Sequence, residues 1–449
     1  MPDRSPSPNT RPNVVFILTD DQGPWAAGCY GNPEIRTPNI DRLAATGVRF
    51  SRFFVATPVC SPSRATLLTG RIPSQHGVHD WVKGDDNVGP NAVRYMRDEV
   101  AYTDIMAAHG YTCGISGKWH LGDSQHPQNS FSFWFVHQRG SGPYSGAPMV
   151  RDGQLVNEPG YVTDVITDEA LKFIDAHHAD RDPFYLSVHY TAPHAPWVGH
   201  PPDIVDSYDD CPFNSCPQEP VHPWAADQPL TQECLGNREM LKGYFAAVTA
   251  MDDNVGRIIA RIEELGLRER TLIVFLSDNG FSCGHHGFWG KGNATRPRNM
   301  YENSILVPAI FSHPGRLSQG RVADAMVSAY DFLPTLLDCL DLPVPEERNL
   351  PGRSFRGVLE GESAEGRDAV VIFDEYGPVR MIRTREWKYV HRYEDAPAEL
   401  YDLINDPDER RSLADEPQQA SRMGGLRAEM EAWFARYVDH AHDGLGETY

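Results

Sequence analysis

The sequence contains no apolar run long enough to cross a bilayer. Its opening, MPDRSPSPNTRPN, has no apolar core and no small-residue cleavage pattern; no secretory signal is visible, and a cytoplasmic location is expected, or a periplasmic or secreted one if an export signal was removed. Positive charge is scarce: 41 Lys and Arg stand against 62 Asp and Glu, a formal net charge of −21. So acidic a surface argues against nucleic acid and anionic membrane as partners. Any anionic ligand must then be drawn in by local positive charge against the global field. Internal repeats are absent, beyond an echo between two acid-tipped apolar runs. Cysteine is sparse and scattered, with 8 residues (Cys29, Cys60, Cys113, Cys211, Cys216, Cys234, Cys283 and Cys339), which is not a disulfide framework. Cys211, Cys216 and Cys234 share one Pro-rich stretch, where free thiols are expected over pairing or metal binding.

What is present is an ordinary globular composition, 40% hydrophobic and 23% charged, over 449 residues. That length suits one large domain with an appendage. Four apolar runs share a design. NVVFILT ends in Asp20 and Asp21, TLIVFLS in Asp278 and Asn279, YTCGISG in Lys118 and His120, and PFYLSVHYTAP in His194. Unbroken apolar runs read as strands buried on both faces, the habit of parallel sheets. Helical patterns lie between them. Thr37 is the expected N-cap of one and Pro334 an expected kink in another. The alternation predicts an α/β fold, a large mostly parallel sheet sandwiched by helices. The expected organisation is a disordered or extended segment 1–12, a catalytic domain 13–342, a linker 343–368, and a small C-terminal α+β subdomain 369–449 of antiparallel sheet plus helix.

Ligands in such sheets bind at the carboxyl ends of the strands, where all four runs carry titratable residues. Asp20, Asp21, Asp278 and Asn279 offer oxygen donors only, a set suited to Ca²⁺, and less to Mg²⁺. PVCSPSRATLLTGR, residues 58–71, places Cys60 at or just before a helix N-terminus that Gly70 can end. Arg64, one turn on, adds positive charge to the same face.

CSPSR followed by LLTGR resembles the signature of the type I sulfatases, in the alkaline phosphatase superfamily. GKWHLG, APHAP, the Asp20–Asp21 pair, SDNG and HHGFWGKG occur in that family's order, and WKYVHRY and ELYDLINDPDE are similar to its small C-terminal subdomain. The resemblance implies that Cys60 is oxidised to Cα-formylglycine by a generating enzyme acting on the unfolded chain. It implies a geminal diol at residue 60 beside a Ca²⁺ held by Asp20, Asp21, residue 60, Asp278 and Asn279. One hydroxyl attacks sulfur, and the second lets sulfate leave; a serine would stall as a stable ester. Arg64 would stabilise the diol, Lys118 contact sulfate, and His120 act as base. His194 and Lys291 would contact sulfate, one of them protonating the leaving oxygen. His189 competes with His194 but falls inside the apolar run, where a core role is expected. GNATRPRN after Lys291 is longer than the family's usual spacing, so Arg296 or Arg298 are alternatives to Lys291 in the pocket.

Loop residues are expected to complete the pocket: His79, Trp81, Trp197, His286 and Arg298 foremost, with His76, Asp80, Trp134, Arg139, His200 and Trp289 nearby. Indole faces beside polar groups suit sugar rings, so a sulfated mono- or oligosaccharide is the expected substrate. A phosphonate or phosphodiester hydrolase on the same scaffold is one alternative. A non-catalytic metal- and anion-binding protein with unmodified Cys60 is the other. Residues 203–236 read as a lid or an oligomer contact; the oligomeric state stays open.

Overall fold

The structure, a computed structural model, describes residues 11–345, 348–373, 378–393 and 396–446. Of the expected N-terminal tail, residues 1–10 lie outside it.

Strands β1 (Asn13–Thr19), β2 (Val48–Phe54), β3 (Thr112–Gly117), β4 (Phe131–His137), β5 (Ser145–Arg151), β6 (Gln154–Tyr161), β7 (Phe184–His189) and β8 (Thr271–Ser277) belong to one large sheet. β9 (Ser282–Cys283) and β10 (Trp289–Gly290) form a separate short pair. β11 (Leu306–Ser312), β12 (Arg321–Ala323) and β13 (Val327–Ser328) complete the large sheet at 11 strands. Its order is β12-β2-β11-β8-β1-β7-β3-β4-β5-β6, with β13 also on β2. The central block β8-β1-β7-β3-β4 is parallel. Its strands β8, β1, β7 and β3 are buried on both faces, which is why they read as unbroken apolar runs, whereas β4, expected as loop, exposes Ser132. In β1, Val14, Phe16 and Leu18 enter one core cluster and Val15 and Ile17 the other.

The flanks bring antiparallel pairs, β8-β11-β2 on one side and β4-β5-β6 on the other, with β12 and β13 parallel to β2, so the sheet is mixed. β5 and β6 are joined by two residues only, Asp152 (φ 49°) and Gly153 (φ 74°). Positive φ at both positions is the type I′ hairpin geometry that Asp-Gly favours, and a two-residue link can only make an antiparallel pair.

Helices cover both faces. On one lie Val162–His177 and the 27-residue Arg238–Glu264; on the other Cys60–Thr69, Tyr102–Ala108 and Phe332–Cys339. Pro334 is the third residue of its helix, so its missing N–H falls in the first turn and no kink is needed. Thr37 caps Pro38–Ala45 by position, but its hydroxyl accepts from Gly28 N–H (2.8 Å) and donates to Asp41 (3.1 Å) instead. Within 343–368, Phe355, Val358 and Leu359 are buried in the main core.

The C-terminal sheet is antiparallel, β14 (Ala369–Phe373), β15 (Val379–Thr384), β16 (Trp387–Arg392) and β17 (Glu399–Asp402), and carries the helix Ala420–Tyr437. A buried ion cluster ties it to the main domain. Lys388 on β16, fully buried, donates to Glu409 (2.5 Å) and the Met300 carbonyl (2.8 Å) and forms an ion pair with Glu302 (2.7 Å). The described cysteines are free thiols; Cys216, Cys234 and Cys283 pack in the second core cluster as small apolar residues. No helix among the described residues is long and apolar enough to cross a membrane.

Candidate active site

Strand register assembles the site. Thr19 of β1 pairs with Ser277 of β8, so Asp20 and Asp278 leave neighbouring strands side by side, and Asp278 N–H donates to the Thr19 carbonyl (3.1 Å). Gly117 of β3 pairs with His189 of β7, and Lys118 N–H donates to the His189 carbonyl (2.7 Å). Gly117 has φ 117°, and a Cβ there would lie 1.9 Å from that carbonyl oxygen, so only glycine fits. Asp21 (φ 67°) and His120 (φ 57°) both adopt left-handed backbone, strain of the kind functional sites hold.

Cys60 is the first residue of the Cys60–Thr69 helix, which ends on Gly70 (φ 70°). Its Sγ lies 3.3 Å from Asp20 Oδ1 and 2.9 Å from Lys291 Nζ. Arg64 is buried one turn on. Its Nε donates to Asp278 (2.8 Å) and its terminal nitrogen to the Lys118 carbonyl (3.0 Å). Lys118 pairs with Asp20, and Lys291 with Asp21, each at 2.5 Å. Ser61 is not a nucleophile candidate: its hydroxyl accepts from Val82 N–H (3.0 Å) and pins the Val82 loop.

Burial pushes the Cys60 thiol up to about 12, and the neighbouring Asp20 carboxylate adds to the shift. Residue 60 as a cysteine is therefore a neutral thiol, a poor nucleophile. Burial, then the Asp20 charge, pushes Asp278 up to about 6. Burial acts on Asp20 in the same sense, but Lys118, His194 and Lys291 outweigh it and hold that carboxyl well below its usual range. Burial and then the Lys118 and Arg64 charges keep His120 neutral, well below the ordinary histidine range. Its Nε2 is 3.0 Å from the Val82 carbonyl and so carries the proton; Nδ1 has no partner among the described residues. His194 is partly exposed, with Nδ1 2.8 Å from the Ala195 carbonyl and Nε2 3.7 Å from Asp21. His189 is buried, edge-on to Phe16 with Nδ1 bonded to the Lys118 carbonyl, and stays in the core.

The donor set fits a hard cation. Ligand atoms of Asp20, Asp21, Cys60 and Asp278 all lie within 4.8 Å of one another. Asp278 Oδ1 and Asn279 Oδ1 are buried and have no hydrogen-bond partner, while Asn279 Nδ2 is spent on Asp21 (2.6 Å). Two orphaned buried oxygens beside two more carboxylates are what an oxygen-coordinated cation satisfies.

Cys60, Asp21, Lys118, His120, His194 and Lys291 open on a cavity of about 580 Å³, the size of a sugar-scale ligand site. Arg64, Asp20, Asp278 and Asn279 lie behind that surface. Of the expected loop residues, Trp81 (41% exposed), Trp197, Trp289 and Arg139 line the cavity. Trp197 is mostly packing, its Nε1 donating to the Pro193 carbonyl and its ring edge-on to Trp289 at 5.0 Å. His79, His286 and Arg298 do not line it. His79 is buried. His286 stacks on Tyr301, ring centroids 3.9 Å apart. Arg298 is buried and donates to the Asn293 carbonyl (3.2 Å), closing the loop after Lys291 on itself; Arg296 is exposed, and Lys291 keeps its place. Sequence reasoning missed Gln228, Pro229 and Leu230, which bring part of the 203–236 insert to the cavity wall, and Gly140 and Ser141. Nothing in their residue types marks them.

Two family models match: one described as Sulfatase over residues 12–342, and one described as N-sulphoglucosamine sulphohydrolase, C-terminal, over residues 284–435. N-acetylglucosamine-6-O-sulfatase of Bacteroides thetaiotaomicron is 28% identical, over 96% of this chain and 88% of its own length. N-acetylgalactosamine-6-sulfatase of Rattus norvegicus is 31% identical, over 76% of this chain and 64% of its own. A solved protein in complex with its substrate D-glucosamine-2-N,6-O-disulfate superposes with a TM-score of 0.81 at 27% identity, covering 96% of this chain and 99% of that one. The phosphonate monoester hydrolase of Agrobacterium radiobacter shares the fold, with a TM-score of 0.71 at 22% identity over 96% of each chain. With the first family model spanning most of its length, and the site assembled at the strand ends, this chain belongs to the sulfatase family.

Proposed function

We propose that this chain hydrolyses the sulfate ester of a sugar, using formylglycine made from Cys60 and a bound Ca²⁺. The observation that carries the reading is the position of Cys60. It lies between a carboxylate of the cation cluster and an ammonium, at a helix start, facing a cavity of about 580 Å³. The names of the relatives, sulfatases of amino sugars, support a sugar substrate.

Asp20, Asp21, residue 60, Asp278 and Asn279 would hold the cation, which supplies a positive pole for the sulfate oxygens. Formylglycine at residue 60 supplies a hydrated aldehyde, with one hydroxyl to attack sulfur and a second to expel sulfate afterwards. Arg64 fixes the chain around residue 60 by bridging Asp278 and the Lys118 carbonyl. Lys118 and Lys291 supply N–H donors and charge to the sulfate. The neutral His120, with its proton on Nε2, accepts the hydroxyl proton at Nδ1. His194, beside the cluster and partly exposed, gives a proton to the departing sugar oxygen.

A substrate panel tests the reaction class. Aryl sulfate is expected to be hydrolysed faster than the matching phosphate and phosphonate monoesters; a dominant phosphonate rate overturns the reading. The cation is tested by calorimetry. Ca²⁺ binding is expected to weaken in Asp278→Ala by more than the roughly 10–100-fold that loss of an outer-sphere partner costs. Wild-type affinity in that variant removes Asp278 from the site.

A further inference from the structure

The inner site is balanced in charge. Asp20, Asp21 and Asp278 face Lys118, Lys291 and Arg64, each pair at 2.5–2.7 Å. With a divalent cation added, this cluster carries a net +2, which more than offsets the single negative charge of one sulfate ester. Arg139 stands outside that balance. It is exposed, lines the same cavity, and has no carboxylate partner among the described residues. Two other exposed arginines of this acidic chain are paired, Arg257 with Asp168 and Arg410 with Glu219.

The backbone holds Arg139 in place. It follows the carboxyl end of β4, and its N–H donates to Nδ1 of the buried His137 (3.1 Å). The next residue, Gly140, approaches His120 so closely that a Cβ there would sit 2.3 Å from ring atom Cε1. One peptide unit thus separates Arg139 from a side chain of the reacting site.

We propose that Arg139 binds a second anionic group of the substrate, so that the sugar carries another sulfate or a carboxylate beside the ester that is cleaved. The inference rests on the sulfate-ester reading above. A guanidinium fork matches either anion through two parallel N–H···O bonds, and at the mouth of a cavity in a repelling surface it selects polyanionic sugars over singly charged ones.

The test measures sulfate release by the formylglycine-bearing enzyme from three probes. These are N-acetylglucosamine 6-sulfate, glucosamine 2-N,6-O-disulfate, and a 6-sulfated glucosamine linked to a uronic acid. Wild type is expected to prefer at least one doubly charged probe in kcat/KM. Arg139→Gln is expected to cut that preference about 10–100-fold, the worth of a hydrogen bond to a charged group, mainly through KM. Arg139→Lys recovers part of it, and added salt erodes it in wild type. The doubly charged probe that loses most identifies the anion as sulfate or carboxylate. An enzyme that releases sulfate with no such preference, or an Arg139→Gln variant that keeps it, overturns the proposal and leaves the sulfatase reading standing. No sulfate release from any probe or from aryl sulfate overturns both.

Discussion

Cys60→Ser is expected to fold normally and to lose multiple turnover, by on the order of a millionfold, the scale seen when the nucleophile of a covalent mechanism is removed. The fold should tolerate the change, because the site is already polar: Sγ meets Asp20 and Lys291, and a hydroxyl can use both. The helix start is indifferent, since serine is common there. The loss is chemical. A serine hydroxyl attacks once and then carries a stable ester, with no second hydroxyl on the same carbon to expel sulfate. The signature is one sulfate per chain, read by intact mass on the peptide holding residue 60, with turnover stopped. Sustained turnover in Cys60→Ser would refute the two-hydroxyl mechanism. A thiol persisting at residue 60 in active wild-type protein refutes it from the other side, because a thiol pushed up to about 12 by burial is a poor nucleophile at neutral pH.

Lys388→Met is expected to destabilise the protein by about 3–5 kcal/mol, the cost of breaking a buried pair by removing one partner. Lys388 is fully enclosed, donates to Glu409 and the Met300 carbonyl, and pairs its charge with Glu302 at 2.7 Å. Without it the two carboxylates face each other in the interior; Glu409 Oε2 still accepts from Glu302 N–H, and among the described residues only Arg383, 3.2 Å from Glu302, remains paired with them. Denaturant midpoints read the effect. Adding Glu409→Gln to Lys388→Met should recover part of the loss, because the two changes act on one cluster. Additive losses in that double variant contradict the account.

β1, β3, β7 and β8 were legible because they are buried on both faces, which leaves an unbroken apolar run in the sequence; β4, with Ser132 exposed, was not. The register that brings Asp20 level with Asp278 then follows from parallel pairing. The flanks were less so. The Asp152–Gly153 hairpin carried its own turn signal and was passed over, which is why the sheet reads as more parallel than it is. The inner site residues were found because their chemistry is rare in combination. The cavity wall was harder. His79, His286 and Arg298 share residue types with true pocket groups, but burial, the stack on Tyr301 and a bond within its own loop keep them from the cavity. Gln228, Pro229 and Leu230 reach the wall through a long insertion whose path no local pattern encodes.

Cys60 exposes 3% of its surface, enclosed by the first turn of its helix, two acid-tipped strand ends and Lys291. Under the proposed chemistry this turns activity into a matter of timing. An oxidising enzyme must reach residue 60 as an extended peptide, and folding withdraws that peptide. The two processes race, and the winner is recorded chain by chain. Specific activity then reports the conditions of synthesis, and a folded preparation is a fixed mixture of finished enzyme and permanently silent copies. Supplying the oxidising enzyme after folding should leave the thiol in place, whereas supplying it to the same chain while unfolded should convert it.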